Sequence, residues 1–288
     1  MKIKFLRLTA LASLVLPLHA APLTESTFTE IVKDVNTLSA TGAAAAAMVG
    51  ETLKAPERVR TGPQSRAELT APDKTITRVG ANTVFSYADS GRTLNLEQGS
   101  VLFHAPKGLG GGTIKSGGAA AAVLGTTLIV SATTGGGFKV ILLEGKGKVT
   151  LPNGNSVTLT AGQEVFVLQG GNEFSRVFDI NLDKLVQGSQ LVSGFSHELS
   201  SLPRILVAEQ DQNSKLKSGR AVDTGAPPEF FIPPPPPGNG LDVIDPGSYQ
   251  TAAHSPLSPV QLEGLLGQNP KGSSSGTGGR PLVPFTTR

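Results

Sequence analysis

The sequence lacks two residue types altogether and has little of two others. Its 288 residues include no cysteine and no tryptophan, while aromatic residues make up 5% and charged residues 16%. Because there is no cysteine, the chain cannot form a disulfide, a thiol nucleophile or a zinc–thiolate site, and it cannot be lipidated through an N-terminal cysteine. Because aromatic residues are few, a folded core must consist mainly of valine, leucine, isoleucine and alanine.

Residues that form turns are abundant instead. The chain contains 35 glycines and 21 prolines, and this composition favours a β protein of small residues with unstructured flanks over a helical enzyme. The length suffices for one large β domain with extensions or for two modest domains.

Residues 1–20 have the pattern of a secretory signal peptide. A start with three basic residues is followed by an apolar run at residues 8–18, too short to cross a membrane, and then by the small residue Ala20. We expect cleavage after Ala20 and a periplasmic or secreted mature protein. No later stretch is apolar over the length that a membrane span requires, so no span is expected after cleavage.

The predicted cleavage changes the charge balance of the chain. Without the basic residues of the signal segment, 22 of the 25 lysines and arginines remain, against 22 aspartates and glutamates. A protein that binds nucleic acid needs a surplus of cations to displace condensed counterions. The balance therefore predicts no nucleic-acid partner.

Residues 49–175 alternate short strand patterns with turn residues. The strand candidates lie at residues 67–69, 75–79, 84–87, 93–103, 124–130, 138–143, 149–151, 157–159 and 165–167. The alternating and continuous apolar positions within residues 138–143 predict a strand buried on both faces, and Asn153-Gly154 predicts a hairpin with a type I′ turn. The fold class predicted is all-β, with short twisted strands in a solenoid-like or sandwich-like arrangement. A weak echo between residues 96–101 and 143–149 would suit solenoid units, but two imperfect copies do not establish a repeat.

Segments before and within this domain leave alternatives open. Residues 21–48 are predicted to be an N-terminal extension that supplies the first strand or helix of the domain, and residues 24–38 favour a strand. The alanine-rich residues 41–49 suit either a short helix or small-residue filler beneath a sheet. The glycine-rich residues 107–118 lack the lysine of a phosphate-binding loop and predict a flexible surface loop.

The chain beyond the β domain changes in character. Helical spacing at residues 176–217 predicts a helical extension whose first helix is capped by Asp179. Residues 218–288 are rich in Pro, Gly and Ser and predict a disordered tail. Within this tail, residues 233–237 predict polyproline II, and residues 259–266 predict either a transient turn or a short helix that docks on a partner.

Residues that could carry chemistry are scattered. His104, His197 and His254 have no neighbours at metal-ligand spacing. Ser196 lies in a Gly-Phe-Ser-His-Glu stretch that lacks the closing glycine of a nucleophile elbow, and we interpret it as an ordinary helix residue. The carboxylates available as acid–base groups are interpreted as solvated turn residues: Asp73, Asp89, Glu97 and Glu144. We predict no catalytic residue, no cofactor and no metal.

Five arginines are concentrated in the first half of the domain and form the candidate surface for a ligand or partner. They are Arg58, Arg60, Arg66, Arg78 and Arg92. If several of them share a face, they would suit an anionic glycan or an acidic protein. Carboxylates are interleaved with them, so strand faces laced with salt bridges are the alternative interpretation.

A series of short motifs resembles the FecR domain family over residues 49–168. The motifs, in chain order, are Arg60-Thr61-Gly62, Ser65-Arg66-Ala67-Glu68-Leu69, Val79-Gly80-Ala81-Asn82-Thr83, Leu96-Glu97-Gln98-Gly99, Leu124-Gly125-Thr126-Thr127 and Ala161-Gly162-Gln163. Each motif is weak alone, but their order is fairly specific. The resemblance implies an all-β extracytoplasmic domain, known best as the periplasmic part of regulators that relay a signal from an outer-membrane receptor to a sigma factor.

The chain departs from those regulators at both ends. It begins with a cleavable signal where they have a cytoplasmic helical domain and a membrane span, and it ends in a Pro/Gly-rich tail. The sequence therefore favours a non-enzymatic exported module for protein interaction, sensing or scaffolding in the bacterial cell envelope. A periplasmic or surface glycan-binding protein is the alternative. The expected partner is accordingly an envelope protein or a polysaccharide.

Overall fold

The computed structural model of the protein describes residues 21–132, 137–167, 172–223 and 241–244. The predicted signal peptide, the polyproline segment at residues 233–237 and the segment at residues 259–266 lie outside the described residues.

The described chain is mostly β-strand with three short helices. The strands are β1 (Glu25–Val32), β2 (Val35–Leu38), β3 (Ala44–Ala46), β4 (Thr52–Lys54), β5 (Arg58–Thr61), β6 (Arg66–Thr70), β7 (Ile76–Val79), β8 (Val84–Tyr87), β9 (Thr93–His104), β10 (Gly112–Ser116), β11 (Ala119–Val123), β12 (Thr127–Ala132), β13 (Phe138–Glu144), β14 (Lys146–Thr150), β15 (Ser156–Thr160), β16 (Gln163–Val167), β17 (Phe178–Ile180), β18 (Ala221–Asp223) and β19 (Leu241–Ile244). The helices are α1 (Leu182–Gly188), α2 (Gln190–Ser193) and α3 (Leu202–Lys217).

These strands form two sheets that share the long strand β9. The first sheet runs in the order β4, β1, β6, β7, β9, β12, β13, β16, β17, β19, β18. The second sheet runs β3, β2, β5, β8, β9, β10, β11, β14, β15. All pairings are antiparallel except β9–β10, β17–β19 and β18–β19.

The main core lies between the two sheets. Phe28 and Val79 from the first sheet pack in one cluster with Val59 and Phe85 from the second, and all four are fully buried. Strands of the second sheet alternate buried residues with half-buried or exposed ones, as in β8 and β10, because one face of this sheet meets solvent. The all-β prediction is therefore confirmed, and the arrangement is two stacked sheets.

A second apolar cluster covers the outer face of the first sheet. Leu102, Ile129 and Ile141 of this sheet pack against residues from the helical extension, among them Leu185 and Ile205. Because the sheet is covered on one face by the second sheet and on the other by helices, every residue of β13 is buried. The predicted burial of residues 138–143 on both faces is confirmed. The range 176–217, predicted as a helical extension, contains the helices α1, α2 and α3 and also strand β17.

Strand β9 changes from the second sheet to the first at Gly99. Residues 94–98 pair with β8, while residues 99–104 pair with β12. Gly99 has φ +91°, and Gly145, between β13 and β14, has φ +82° where the chain passes back to the second sheet. The internal echo in the sequence therefore marks two corners with left-handed glycines and not a solenoid repeat.

The hairpin predicted at Asn153-Gly154 joins β14 and β15, but its turn is not type I′. Only Gly154 has positive φ, at +87°, and its N–H donates to the Leu151 carbonyl at 3.0 Å. Pro152 fixes a negative φ at the first central position, where type I′ needs a positive one. The loop is therefore a turn closed by one left-handed glycine, the three-residue form of hairpin loop.

Four local predictions are corrected or refined by the structure. Residues 24–38 form strands, as favoured, but residues 44–46 are an exposed edge strand, neither helix nor buried filler. Part of the predicted loop at residues 107–118 is β10, paired on both sides. The cap of α1 is Asn181, whose Oδ1 accepts from the Lys184 N–H, and not Asp179, which belongs to β17. Strands β18 and β19 lie within the predicted tail and continue the first sheet beyond β17.

Candidate functional site

The family motifs meet at the corner around Gly99. The Thr61 hydroxyl donates to the Gly80 carbonyl at 2.6 Å and accepts from the Thr83 N–H at 2.9 Å. The Thr83 hydroxyl in turn accepts from the Ser100 N–H at 3.0 Å. Buried hydroxyl groups thus connect three separate motifs through hydrogen bonds with backbone groups of the corner. This cluster, Thr61, Gly80, Thr83, Gly99 and Ser100, is called the motif corner below.

Arg78 is the most deeply buried charged residue of the candidate arginines, with none of its surface exposed. Its Nε donates to Glu68 Oε2 at 2.8 Å. Its two terminal nitrogens donate to the carbonyl oxygens of Val192, at 2.7 Å, and His197, at 2.6 Å. A third carbonyl, that of Leu191, accepts at 3.2 Å. The guanidinium therefore joins the first sheet to the end of α2 and to the segment that follows.

That segment, residues 194–201, is called the connecting segment. Arg66 donates through Nε to the Gly194 carbonyl at 2.5 Å. The ring of Phe195 lies over both guanidinium groups, 4.5 Å from Arg78 Cζ and 5.7 Å from Arg66 Cζ. Cation–π contacts of this kind strengthen when the cation is shielded from water. The two arginines hold the connecting segment against the sheet.

Ser196 belongs to this connecting segment and not to a helix, so its interpretation as a helix residue is wrong. Its hydroxyl donates to Glu30 Oε2 at 2.6 Å and lies 3.1 Å from His197 Nδ1. His197 Nδ1 also lies 3.8 Å from Glu30 Oε2. In a catalytic triad the serine and the carboxylate bind opposite nitrogens of the imidazole; here both lie at the same one. Burial acts to raise the pKa of Glu30, but the Ser196 hydrogen bonds and the charges of His197 and Arg66 outweigh it, and the pKa lies below its ordinary value.

The remaining candidate arginines are divided between β5, which carries Arg58 and Arg60, and the residue before β9, Arg92. Arg58 pairs with Glu97 at 3.3 Å on the second sheet, and Arg60 is exposed on the same strand, β5. Arg92 pairs with Asp73 at 2.7 Å and donates to the Gly111 carbonyl at 2.6 Å. The five arginines therefore do not form one surface, and salt-bridged strand faces describe most of them.

A second buried polar cluster lies beneath the start of α3. Thr127 Oγ1 is 3.0 Å from His104 Nδ1, 3.0 Å from Glu144 Oε1 and 2.7 Å from Ser201 Oγ. Arg204 of α3 approaches the same Glu144 oxygen at 3.3 Å. Glu144 is only 3% exposed, so its interpretation as a solvated turn carboxylate is wrong. The helix that covers it comes from a distant part of the chain.

Stability is expected to fall on mild acidification because of His104. Burial and the charge of Arg204 hold the pKa of His104 below its ordinary value, against the opposing effects of Glu144 and the Thr126 backbone. Below the ordinary value of about 6.5 the unfolded chain binds a proton that the folded chain resists. The stabilisation is therefore complete above that pH and is lost as the pH falls below it. Urea unfolding between about pH 7.5 and 5.5 should show a loss of up to about 1 kcal/mol.

The variant His104→Gln should remove this dependence, since glutamine does not titrate. His197→Gln is the matched control, because the His197 side chain is 77% exposed, and it should leave the dependence unchanged. An unaltered slope in His104→Gln would assign the pH dependence to another group.

A buried lysine was not anticipated from the sequence. Lys139 lies on β13, is 7% exposed and faces the Phe166 ring at 5.8 Å. Burial lowers the pKa of Lys139 to about 8, although the nearby Glu164 carboxylate acts in the opposite direction. Its apolar neighbours in β13 gave no sign of a partner, because Glu164 comes from a strand later in the chain.

The described surface also carries an open groove that sequence reasoning missed. It has a volume of about 730 Å³ and is lined by the β9–β10 loop, the turn at residues 124–126, and β11 and β14. Lys107, Lys146 and Lys148 lie at its rim, and Ala122 and Leu124 contribute to its apolar lining. We call it the lysine groove. The alternation Gly145-Lys146-Gly147-Lys148 was the available signal, since residues two apart on a strand share a face.

Within the described ranges, no cluster of histidine and carboxylate side chains is arranged to hold a metal ion. Among the same residues, no helix has the length and apolarity needed to cross a membrane.

Comparison with known proteins identifies the domain. Two crystal structures of candidate anti-sigma factors from Parabacteroides distasonis ATCC 8503 are similar to this chain. The first is 20% identical to this chain, with a TM-score of 0.39. The match covers 46% of this chain and 64% of the chain in that structure. The second is 17% identical, with a TM-score of 0.41, and the match covers 59% of this chain and 79% of the chain in that structure. Comparison with curated proteins finds no significant match. Residues 57–148 match the family model described as FecR protein, and the chain therefore carries a FecR domain.

Proposed function

We propose that this protein is a non-enzymatic, exported interaction module that binds a protein partner in the bacterial cell envelope, where it acts in sensing or scaffolding. The observation that carries the proposal is the lysine groove, an open cleft of about 730 Å³ on the FecR domain. Pockets of this order of volume bind small ligands, and the lysines of this one would attract the carboxylates of an acidic protein. The basic start and apolar run of residues 1–20 support export.

The polar residues that resemble catalytic groups have structural roles. Ser196 and Glu30 fasten the connecting segment, as the 2.6 Å hydrogen bond between them indicates. His104 and Glu144 are buried under α3 and bonded to Thr127. Asp73 is paired with Arg92. These assignments favour binding over catalysis as the use of the domain.

A glycan-binding function is the second candidate. The cations at the rim of the lysine groove would also attract an anionic polysaccharide. The two candidate functions predict different molecules bound to the protein when it is isolated from the cell envelope.

Crosslinking and affinity purification of the full chain from the source organism's envelope would separate them. The proposal expects a discrete protein partner. The same experiment with a chain that ends at Lys217 would locate the contact, because loss of the partner on truncation would assign the contact to the tail. Retention of polysaccharide without any protein would contradict the proposal in favour of the glycan alternative.

A further inference from the structure

We propose that the lysine groove binds an acidic protein segment that carries at least one large apolar side chain. This inference rests on the proposed function and names the site and the chemistry of its partner. It begins from the cations. Within the described part of the chain, the ammonium groups of Lys107, Lys146 and Lys148 form no hydrogen bond or ion pair, and all three residues are exposed.

The neighbouring charge at the groove is already neutralised. Arg92 lines one wall, but it is paired with Asp73 and donates to Thr75 and Gly111. Among the residues that the structure describes, no aspartate or glutamate lines the groove. The three lysines therefore present a positive rim to an incoming ligand, and that rim attracts carboxylates.

One row of aligned residues, three of them small, crosses the second sheet along the groove and lines it. Strand register aligns Thr113 with Ala122, Ala122 with Lys148, and Lys148 with Thr158. Alternate residues of a strand face the same side, and Ala122, Lys148 and Thr158 are exposed while Val123 and Val149 are buried. Small side chains beside a lysine leave room for an extended chain to lie close to the sheet.

Leu124 supplies the apolar contact. It is 80% exposed in the turn between β11 and β12 and lines the groove. An apolar centre with a charged or polar rim is the usual composition of a protein–protein interface. An anionic polysaccharide would use the lysines but gain little from Leu124, so the pairing of both features favours a protein segment.

The test uses the full mature chain and the fluorescent peptide Glu-Leu-Glu-Glu-Val-Glu-Leu-Glu, with binding followed by anisotropy. Replacing Lys107, Lys146 and Lys148 together by glutamine should weaken binding about tenfold, because each exposed pair contributes modestly. The matched control replaces Lys33, Lys54 and Lys217 by glutamine. These three lysines are exposed and lie outside the groove, so the net charge changes by the same amount. The control should bind the peptide almost as well as the parent chain at the same salt concentration.

A second pair of variants tests the apolar contact. Leu124→Ser should weaken binding several-fold, whereas Val49→Ser, at a residue 62% exposed in another turn, should not. Absence of peptide binding, or equal losses in the groove and control variants, would overturn the proposal. So would stronger binding of heparin that is insensitive to Leu124→Ser. If the full chain nevertheless retains an envelope protein, only the site assignment fails and the proposed function stands.

Discussion

The variant Arg78→Met is expected to lose about 3–5 kcal/mol of unfolding free energy, because removing one partner of a buried ion pair leaves the other charge uncompensated. The carboxylate left behind is that of Glu68, which is 5% exposed. In addition, the carbonyl groups of Val192 and His197 lose their donor. Domains are typically stable by about 5–15 kcal/mol, so a loss of this size is roughly a fifth of the total or more. Urea unfolding followed by circular dichroism measures it.

Arg58→Met is the matched control. Arg58 also pairs with a glutamate at 3.3 Å, but both side chains are exposed to solvent, so its loss should cost no more than about 1 kcal/mol. Where Arg78→Met does not fold, Arg78→Lys serves instead. Lysine keeps the charge but cannot span Glu68 and three carbonyls with one ammonium group. Equal effects of the changes at positions 58 and 78 would contradict the role given to Arg78.

Gly99→Ala is expected to destabilise the protein by about 3 kcal/mol or more, from left-handed strain and overpacking together. Gly99 has φ +91°, and a Cβ there would lie 2.4 Å from the Thr83 Cα and 2.2 Å from its hydroxyl oxygen. The clash is with backbone, so the neighbour cannot move away by changing rotamer. For the same reason, adding Thr83→Ala should not restore stability.

Gly91→Ala separates the two causes. Gly91 has φ +73° but nothing within 4 Å of the position of a Cβ, so it should show the strain alone, about 1–2 kcal/mol. Thermal and urea unfolding of the two variants give the comparison. A Gly99→Ala protein as stable as Gly91→Ala would mean that the motif corner is looser than described.

The sequence predicts the fold where the determinants are local. Alternating apolar residues and turn-forming residues predict most of the strands. The ordered motifs predict the FecR domain, because residues that form the motif corner, such as Thr83 and Gly99, are recognisable in the sequence. The turn at Asn153-Gly154 was assigned the wrong type since Pro152 outweighs the Asn-Gly signal at the preceding position.

Contacts between distant segments could not be predicted in this way. Arg78 lies in β7 between Thr77 and Val79, and an arginine in a strand is ordinarily exposed to solvent. Its burial depends on carbonyl groups more than 110 residues later in the chain. Glu144 precedes a glycine turn, and only the return of α3 over it removes it from water. The lysine groove likewise combines a loop, a turn and a strand, and only the Gly-Lys-Gly-Lys alternation in β14 was visible beforehand.

The central claim is that the lysine groove is where this protein meets its partner. A photoreactive amino acid placed at position 124 or at position 207 of the full chain, in living cells, tests it most directly. Both positions are exposed, Leu124 at 80% and Val207 at 65%, but only Leu124 lines the groove. The account predicts a discrete protein adduct from position 124 that is lost when Lys107, Lys146 and Lys148 are changed to glutamine. A protein adduct from position 207 alone, or a polysaccharide ladder from position 124, would contradict it.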